Sequence, residues 1–225
     1  EKPMAHTLAE ADRMVSVCSD AGVPLACGPI SVGHPTFKMV KELVGNGLIG
    51  RILSFESDSV LAQHNAWMYL IDRSAEWVVG VADDEDVVSD NREFSGSGII
   101  GFAGGLVGSV RLGAPFVRIT GESGELIFDW NRFRLFRDVS GPAGVQRVEV
   151  ALPEPSFIGG WSPLYSIDNV LQCIDSGQEP RVSGRRVRNA IEIQIAMRES
   201  HRLGSVKLDL PITDRSLGMA YDWFR

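Results

Sequence analysis

Lys2 is the first residue of the chain whose type and position could serve chemistry. Pro3, which follows it, holds the Lys2 backbone in an extended conformation, so the ammonium group can be aimed. A lysine can donate a hydrogen bond, stabilise a developing alkoxide, or transfer a proton once burial lowers its pKa. The alternative is a lysine at a frayed chain end with no chemical role. The sequence by itself leaves both interpretations open.

His64 is the second candidate, and it follows Asp58 in a predicted strand-to-helix connection. Such connections often hold the working side chains of mixed α and β proteins. A carboxylate beside a histidine can orient the imidazole as an acid or a base. The alternative is a capping or surface histidine. Trp161 and Tyr165, at the start of a predicted helix over 161–176, could line a sugar-sized pocket, although such aromatics more commonly serve a core or an interface.

Residue spacing disfavours several other kinds of site. No pair of histidines has the spacing of metal ligands, so we expect no metal site. The glycines of GFAGGLVG at 101–108 lie between two predicted strands, whereas a dinucleotide fingerprint needs a strand, a tight turn and then a helix N-terminus. No G-x-S-x-G nucleophile elbow occurs. The acidic residues at 83–86 lack calcium-loop spacing and indicate a solvated loop.

The composition is that of a globular protein with an acidic balance. Hydrophobic residues make up 44% of the 225 residues and the formal net charge is −7. This charge disfavours a nucleic-acid partner, and we interpret the basic stretch RVSGRRVR at 181–188 as a solvated face. Three scattered cysteines (Cys18, Cys27 and Cys173) indicate reduced thiols and a cytoplasmic location. No apolar run approaches the roughly 18 residues of a membrane helix, so no membrane partner is expected.

The first 30 residues predict one helix followed by one strand. Thr7 and Glu10 form a T-x-x-E capping box, which predicts a helix over 7–21 that stops at Gly22. Its apolar residues recur at three- and four-residue steps and predict one buried stripe: Leu8, Ala11, Met14, Val15 and Cys18. VPLACG at 23–28 predicts a short buried strand. This order is typical of the last αβ unit of a parallel sheet.

The remaining chain predicts helices on either side of a run of strands. A helix starts at His34-Pro35, with Phe37, Val40 and Leu43 facing inward, and further helices are predicted over 63–72, 161–176 and 184–203. Strands are predicted over 52–57, 76–83 and 205–211, and six short strands alternate with turns between 94 and 152. The pattern indicates an α+β domain with one open, largely antiparallel sheet and helices on one face.

The stretch EKPMAHTLAEADRMVSVCSDAGVPLACGPISVGHPTFKMVKELVGNGLIGRILSFES resembles the centre of the Gfo/Idh/MocA-type oxidoreductases. The resemblance rests on the EKP triplet, the TLAEA helix start, the AGVPL segment and the HP helix that ends in GLIG. GESGELIFDW, EPRVSGRRVRNAIEIQIAMRES and KLDLP resemble that family's C-terminal half. The resemblance therefore covers essentially the whole chain.

The resemblance implies a Rossmann domain that binds NAD or NADP, followed by an α+β domain with an open sheet. Residues 1–30 are then the last αβ unit of a truncated Rossmann domain, and residues 31–225 form the substrate and oligomerisation domain. Lys2 is similar to the family lysine beside the nicotinamide and the substrate hydroxyl, and Glu1 lies on the same cofactor side. Pro3 matches a family proline that often follows a cis bond.

The resemblance also implies the proton chemistry. His64 matches the family histidine that exchanges a proton with a sugar or polyol alcohol, and Asp58 matches an associated carboxylate. The implied function is an NAD(P)-dependent oxidoreductase that assembles as a homo-oligomer through its open sheet. This chain alone is expected to be inactive and to bind no dinucleotide tightly. The alternative is a non-catalytic binding or oligomerisation module derived from the same fold.

Overall fold

A computed structural model describes residues 4–27, 30–58, 66–111, 114, 117–128, 133–152 and 163–220. Its helices are α1 (Leu8–Asp20), α2 (Ile30–Gly33), α3 (Pro35–Gly45), α4 (Ala66–Ile71), α5 (Asp86–Ser89), α6 (Pro163–Ser176) and α7 (Gly184–Arg202). Its strands are β1 (Ile52–Ser57), β2 (Ala75–Ala82), β3 (Gly96–Phe102), β4 (Leu106–Val110), β5 (Val117–Gly121), β6 (Gly124–Phe128), β7 (Phe133–Gly141), β8 (Gly144–Val150) and β9 (Leu208–Asp209).

The strands form one open sheet in the order β8-β7-β6-β5-β1-β4-β3-β2-β9. β1 pairs in parallel with β4, and the other pairs within the described residues are antiparallel. The predicted α+β fold with an open, largely antiparallel sheet is therefore confirmed. β1 lies between β5 and β4, so it divides the run of strands predicted between 94 and 152 into two groups.

One face of the sheet is covered by α3 and α7 and holds the main core. The ring of Phe37 on α3 meets Phe128 and Phe133 edge-on, with ring centroids 5.0 Å apart in each pair. On β2, a Cβ atom placed at Gly80 would lie 2.3 Å from the carbonyl oxygen of Met197 on α7. Glycine at this position lets the α7 backbone approach the strand directly.

The long helix α7 begins after the N-cap Ser183, whose hydroxyl accepts a hydrogen bond from the Arg186 N–H at 3.3 Å. Its middle, IEIQIAM, alternates like a strand, yet it is helical and buried on all sides. The reason is that α7 packs against β2 on one side and α1 on another. A helix between two layers needs apolar residues around its whole circumference, so its sequence loses the single-stripe pattern.

Several local predictions are wrong at the N-terminal end. The capping box of Thr7 and Glu10 is present, but only Leu8 and Ala11 of the predicted stripe are buried, and Met14 is 39% exposed. Residues 23–27 form no strand; Ala26 makes one isolated bridge, with Ser183. The stripe on α1 is only partly buried because α1 packs on the helix α7, which offers a narrower surface than a sheet.

Smaller corrections concern three other elements. On α3, Phe37 and Val40 are buried as predicted, while Val44 is buried in place of the half-buried Leu43. The strand predicted over 205–211 is reduced to Leu208–Asp209, which pairs with Trp77 and Val78 near the start of β2. None of the helices that the structure describes combines the length and hydropathy needed to span a bilayer.

Candidate active site

The candidate residues from the sequence divide into two groups. Glu1, Lys2, Pro3, His64 and Trp161 lie outside the residues that the structure describes. Asp58 and Tyr165 lie within them, at the end of β1 and in the first turn of α6. That Lys2 and His64 act together therefore stays a prediction. The described residues near them in the sequence include Asp58 and the start of α1.

Asp58 directly follows β1, where the parallel strands β1 and β4 end side by side. The Arg111 N–H donates to the Ser57 carbonyl at 3.0 Å and fixes the chain at this point. The Asp58 Oδ1 atom is buried and has no hydrogen-bond partner among the described residues. Burial raises the pKa of this carboxyl, which brings its titration closer to neutral pH. A carboxyl in this state is suited to hold or release a proton.

Tyr165 packs against His34, with ring centroids 5.1 Å apart in an edge-on arrangement. His34 is the N-cap of α3, and its Nδ1 accepts the Thr36 N–H at 3.2 Å. Burial and then the nearby charge of Arg181 lower the pKa of His34, so the ring is held neutral in its capping role. Tyr165 thus contacts the start of α3 through this histidine.

The basic stretch at 181–188 is not the solvated face that its sequence indicates. Arg186 is buried and donates to both carboxylate oxygens of Asp72 at 3.0 Å. Arg185 donates to Glu179 at 2.8 Å, and Arg188 donates to Asp12 at 2.6 Å. Because α7 packs between other elements, its arginines lie beside carboxylates from distant parts of the chain and form ion pairs with them.

Asp72 connects three helices through its ion pairs. It accepts from Arg186 of α7 and, at 2.8 Å, from Lys41 of α3, while it directly follows α4. Burial by itself raises the pKa of Asp72, but the hydrogen bonds from Arg186 and Lys41 outweigh burial and hold the pKa well below its ordinary value. Asp72 is therefore ionised in the folded protein, and its charge stabilises the fold.

We expect Asp72→Asn to lower the free energy of unfolding by about 2 kcal/mol near pH 7, because the buried Arg186 loses one of its two carboxylate partners and keeps only Glu179. Asn keeps the left-handed backbone at this position, where φ is +49°, so the change isolates the charge. A carboxyl with a lowered pKa stabilises the fold above its unfolded pKa of about 4 and less as the pH falls below it. Urea unfolding should show that the loss of stability caused by Asp72→Asn shrinks below about pH 4. An equal loss at about pH 7 and below about pH 4 would contradict the role of the ionised Asp72.

A second network fixes the start of α1. Asp12 accepts from Arg188 and from Arg215, each at 2.6 Å, and Arg215 also donates to Glu192 at 2.6 Å. The backbone adds three bonds: from Leu8 N to the Leu217 carbonyl at 3.0 Å, from Ala9 N to the Arg215 carbonyl at 2.8 Å and from Met219 N to the His6 carbonyl at 2.9 Å. The C-terminal segment 212–219 thus holds the helix start that follows Lys2 and Pro3.

Sequence reasoning missed Asp12, Asp72, Glu192 and Arg215. One local signal was available, since Arg188 and Glu192 stand four residues apart on a helix and pair there. Asp72 lies 114 residues from Arg186 along the chain, and Asp12 lies 176 residues from Arg188 and 203 from Arg215. No periodicity or spacing rule points to such contacts.

The G-x-G-x-x-G spacing at 96–101 is not a cradle for a dinucleotide. Gly96, Gly98 and Gly101 have the G-x-G-x-x-G spacing, but all three lie within the antiparallel strand β3. A Cβ atom at Gly98 would lie 2.3 Å from the Val79 carbonyl oxygen, and one at Gly101 would lie 2.1 Å from the Trp77 ring. These glycines allow close packing within the sheet, whereas a fingerprint opens a helix. Within the same residues, no group of three or more His, Cys, Asp or Glu side chains could hold a metal ion.

Comparison with known proteins identifies the fold. No family model matches the chain, and no curated protein matches its sequence. In structure it is similar to an aldose-aldose oxidoreductase from Caulobacter crescentus complexed with glycerol, with 19% identity and a TM-score of 0.68 over 93% of this chain and 70% of that one. It is also similar to an NAD-binding oxidoreductase from Klebsiella pneumoniae, with 13% identity and a TM-score of 0.72 over 95% and 73% of the two chains.

A third similar structure is levoglucosan dehydrogenase in complex with NADH and levoglucosan, with 17% identity and a TM-score of 0.67 over 93% of this chain and 72% of that one. The chain has the fold of these oxidoreductases. The resemblance to the Gfo/Idh/MocA type, which rested on short segments of sequence, is thereby confirmed at the level of the fold.

Proposed function

We propose that this chain belongs to an NAD(P)-dependent oxidoreductase that acts on a CH–OH group of a sugar, a polyol or a related alcohol. The observation that carries the proposal is the likeness of fold to an aldose-aldose oxidoreductase and to a dehydrogenase in complex with NADH and a sugar derivative. A cytoplasmic location fits the three free cysteines at Cys18, Cys27 and Cys173.

In this proposal the residues of the chain handle the substrate alcohol and its proton. Lys2, held extended by Pro3, donates a hydrogen bond to the alcohol oxygen and stabilises it as the proton leaves. His64 accepts that proton and returns it in the reverse direction, and Asp58 orients the histidine or shares the proton. Trp161 and Tyr165 contact the sugar. The raised pKa of Asp58 and the network that fixes the start of α1 support these roles.

We further propose that residues 1–30, with Glu1 and Lys2 on the cofactor side, belong with a dinucleotide-binding Rossmann domain and that 31–225 form the substrate domain. Met14 and Val17 on α1 are exposed and line an apolar groove of about 600 Å³, which is a surface on which such a domain can pack. Because the G-x-G-x-x-G spacing at 96–101 lies within a strand and does not open a helix, we expect these 225 residues alone to bind NAD or NADP weakly. Micromolar binding in calorimetry would contradict this expectation.

The test of the proposed function is an assay of the protein as expressed from its gene against a panel of sugars and polyols, with NAD and with NADP. We expect nicotinamide reduction with at least one alcohol. No reduction across the panel would favour the second candidate, a non-catalytic binding or oligomerisation module. The observation that favours this second candidate is the open outer face of the sheet.

The outer face of the sheet has the features of an interface between copies of the chain. Val81, Ile99 and Val107 are exposed on the neighbouring strands β2, β3 and β4. Beside them a row of alternating charges crosses the sheet through neighbouring ion pairs: Asp138, Arg147, Glu125, Arg118, Glu56 and Arg111. Because the charges in this row pair with one another, the face can meet a second copy without unpaired charge.

We expect the protein to be a homo-oligomer and Val107→Glu to weaken its assembly by about 100-fold, or about 3 kcal/mol, because the new carboxylate is buried without a partner. Sedimentation or light scattering across a concentration series measures the effect. Ile167→Glu is the matched control, since Ile167 is 55% exposed on α6, away from the sheet. A monomeric wild type, or equal weakening by both variants, would contradict a sheet interface.

A further inference from the structure

Arg181 differs from the other arginines of the 181–188 stretch. Arg185, Arg186 and Arg188 each pair with a carboxylate. The Arg181 Nε donates to the Val32 carbonyl at 3.2 Å and its Nη2 donates to the Gly33 carbonyl, both at the end of α2. Among the described residues it makes no ion pair, and its Nη1 has no hydrogen-bond partner.

Among the described residues no carboxylate is within ion-pair distance of Arg181, and its charge is balanced by two peptide carbonyls and by a longer-range interaction with Asp168. Its side chain is half-buried, and burial lowers the pKa of its guanidinium. Its charge also lowers the pKa of His34, so the positive potential extends to the start of α3. A partly desolvated cation without a direct ion pair is costly, and a bound anion is the partner that offsets this cost.

Arg181 lines an open cleft of about 580 Å³ between α3 and the α6–α7 connection. Two of the other charges that line it are already paired, Lys41 with Asp72 and Glu179 with Arg185. At the mouth, Lys38 lies 3.9 Å from Glu42, with both side chains more than 60% exposed. Three cations and two carboxylates thus line the cleft, and the unpaired positive charge is that of Arg181.

Carboxamide groups also line the cleft. The side chains of Asn46 and Gln178 make no hydrogen bond within the described residues. Such amides both donate to and accept from hydroxyl groups. The cleft therefore offers the Nη1 amino group of a guanidinium, with two N–H donors, for an oxyanion and amides for the hydroxyls of the same molecule.

We propose that this cleft binds a small hydroxylated oxyanion, with Arg181 as its anion-binding residue. The shared chemistry is an oxyanion on a polyol, which a carboxylate or a phosphate ester could supply. The Arg181 Nη1 group donates to the oxyanion, Lys38 adds charge at the mouth, and Asn46 and Gln178 bond the hydroxyls. This proposal does not rest on the proposed oxidoreductase function.

The test is calorimetry of the protein at low ionic strength with four probes, namely inorganic phosphate, gluconate, glucose 6-phosphate and neutral glucose. We expect gluconate or glucose 6-phosphate to bind at least about tenfold more tightly than glucose. Binding of only one of these two identifies the oxyanion as a carboxylate or a phosphate ester. If neither binds more tightly than glucose, the proposal is overturned.

The variant Arg181→Met should weaken binding of the preferred oxyanion at least about tenfold, whereas Arg181→Lys should keep part of it. Arg51→Met is the matched control, since Arg51 is an exposed arginine outside the cleft and its loss changes the net charge equally. Lys38→Gln covers the case in which the Arg181 variants do not fold, because Lys38 is exposed, and it should weaken binding about threefold. Equal affinities in Arg181→Met and Arg51→Met, or an unchanged affinity in Lys38→Gln, would overturn the proposal.

Discussion

Lys2→Met is expected to lower the kcat of alcohol oxidation by about 10²–10⁴-fold, with a much smaller change in KM. Methionine keeps the approximate length of the side chain and removes the ammonium group, so the alcohol oxygen loses its hydrogen-bond donor as negative charge develops. An interaction that strengthens in the transition state affects kcat more than substrate binding. His64→Ala is expected to lower kcat over the same range because the proton then has no acceptor.

Steady-state kinetics with the best alcohol of the panel provide the measurement. Lys207→Met is the matched control, because Lys207 is 57% exposed beside β9 and pairs with Asp209. Its kcat should stay within about twofold of wild type. If Lys2→Met and His64→Ala both keep full turnover while the protein reduces a nicotinamide, the oxidoreductase proposal stands and the assignment of these two residues fails.

Gly80→Ala is expected to lower the free energy of unfolding by about 3 kcal/mol and the melting temperature by about 6–12 °C. The added Cβ would lie 2.3 Å from the carbonyl oxygen of Met197 and 2.8 Å from its Cα. These are backbone atoms of α7, so no rotamer change can relieve the clash. The helix must move away from β2, and the packing between the helix and the sheet is lost over several residues.

Thermal and urea unfolding measure this effect, and Gly45→Ala is its control. Gly45 closes α3, has an ordinary backbone conformation and has no atom within 4 Å of the position a Cβ would take. Alanine there should leave the stability within about 0.5 kcal/mol or raise it slightly. Equal unfolding curves for Gly80→Ala and the wild type would show that α7 does not pack as closely on β2 as the structure has it.

Local rules predicted most elements of the fold. Thr7 with Glu10, His34 with Pro35, and Ser183 each mark a helix start, because a cap satisfies amide groups a few residues away. The strands β4, β5 and β6 were predictable because buried side chains alternate along them with more exposed ones. GESGE forms the tight hairpin between β5 and β6, where Gly121 pairs with Gly124. In each case the deciding contact lies within a few residues.

The candidate site was predicted in a different way. Asp58 was chosen for its place after a strand, and the structure adds a buried, unpartnered oxygen and a raised pKa. Tyr165 was chosen as an aromatic at a helix start, and the structure gives it a contact with His34. Lys2 and His64 depended on residue type and on the resemblance, and their roles stay predictions.

The sequence by itself determined the α+β class, the helix starts and the alternating strands of this protein, because these features depend on contacts between near neighbours in the chain. Only the tertiary structure decided that β1 enters the sheet between β5 and β4, and that the arginines of α7 are buried in ion pairs with Asp12 and Asp72. The energy of a buried charge depends on which carboxylate lies beside it, and folding alone brings those carboxylates there. The same reasoning applies to Arg181. It stands in the same basic stretch as Arg185, Arg186 and Arg188, and only the tertiary structure shows that it bonds two carbonyls and no carboxylate.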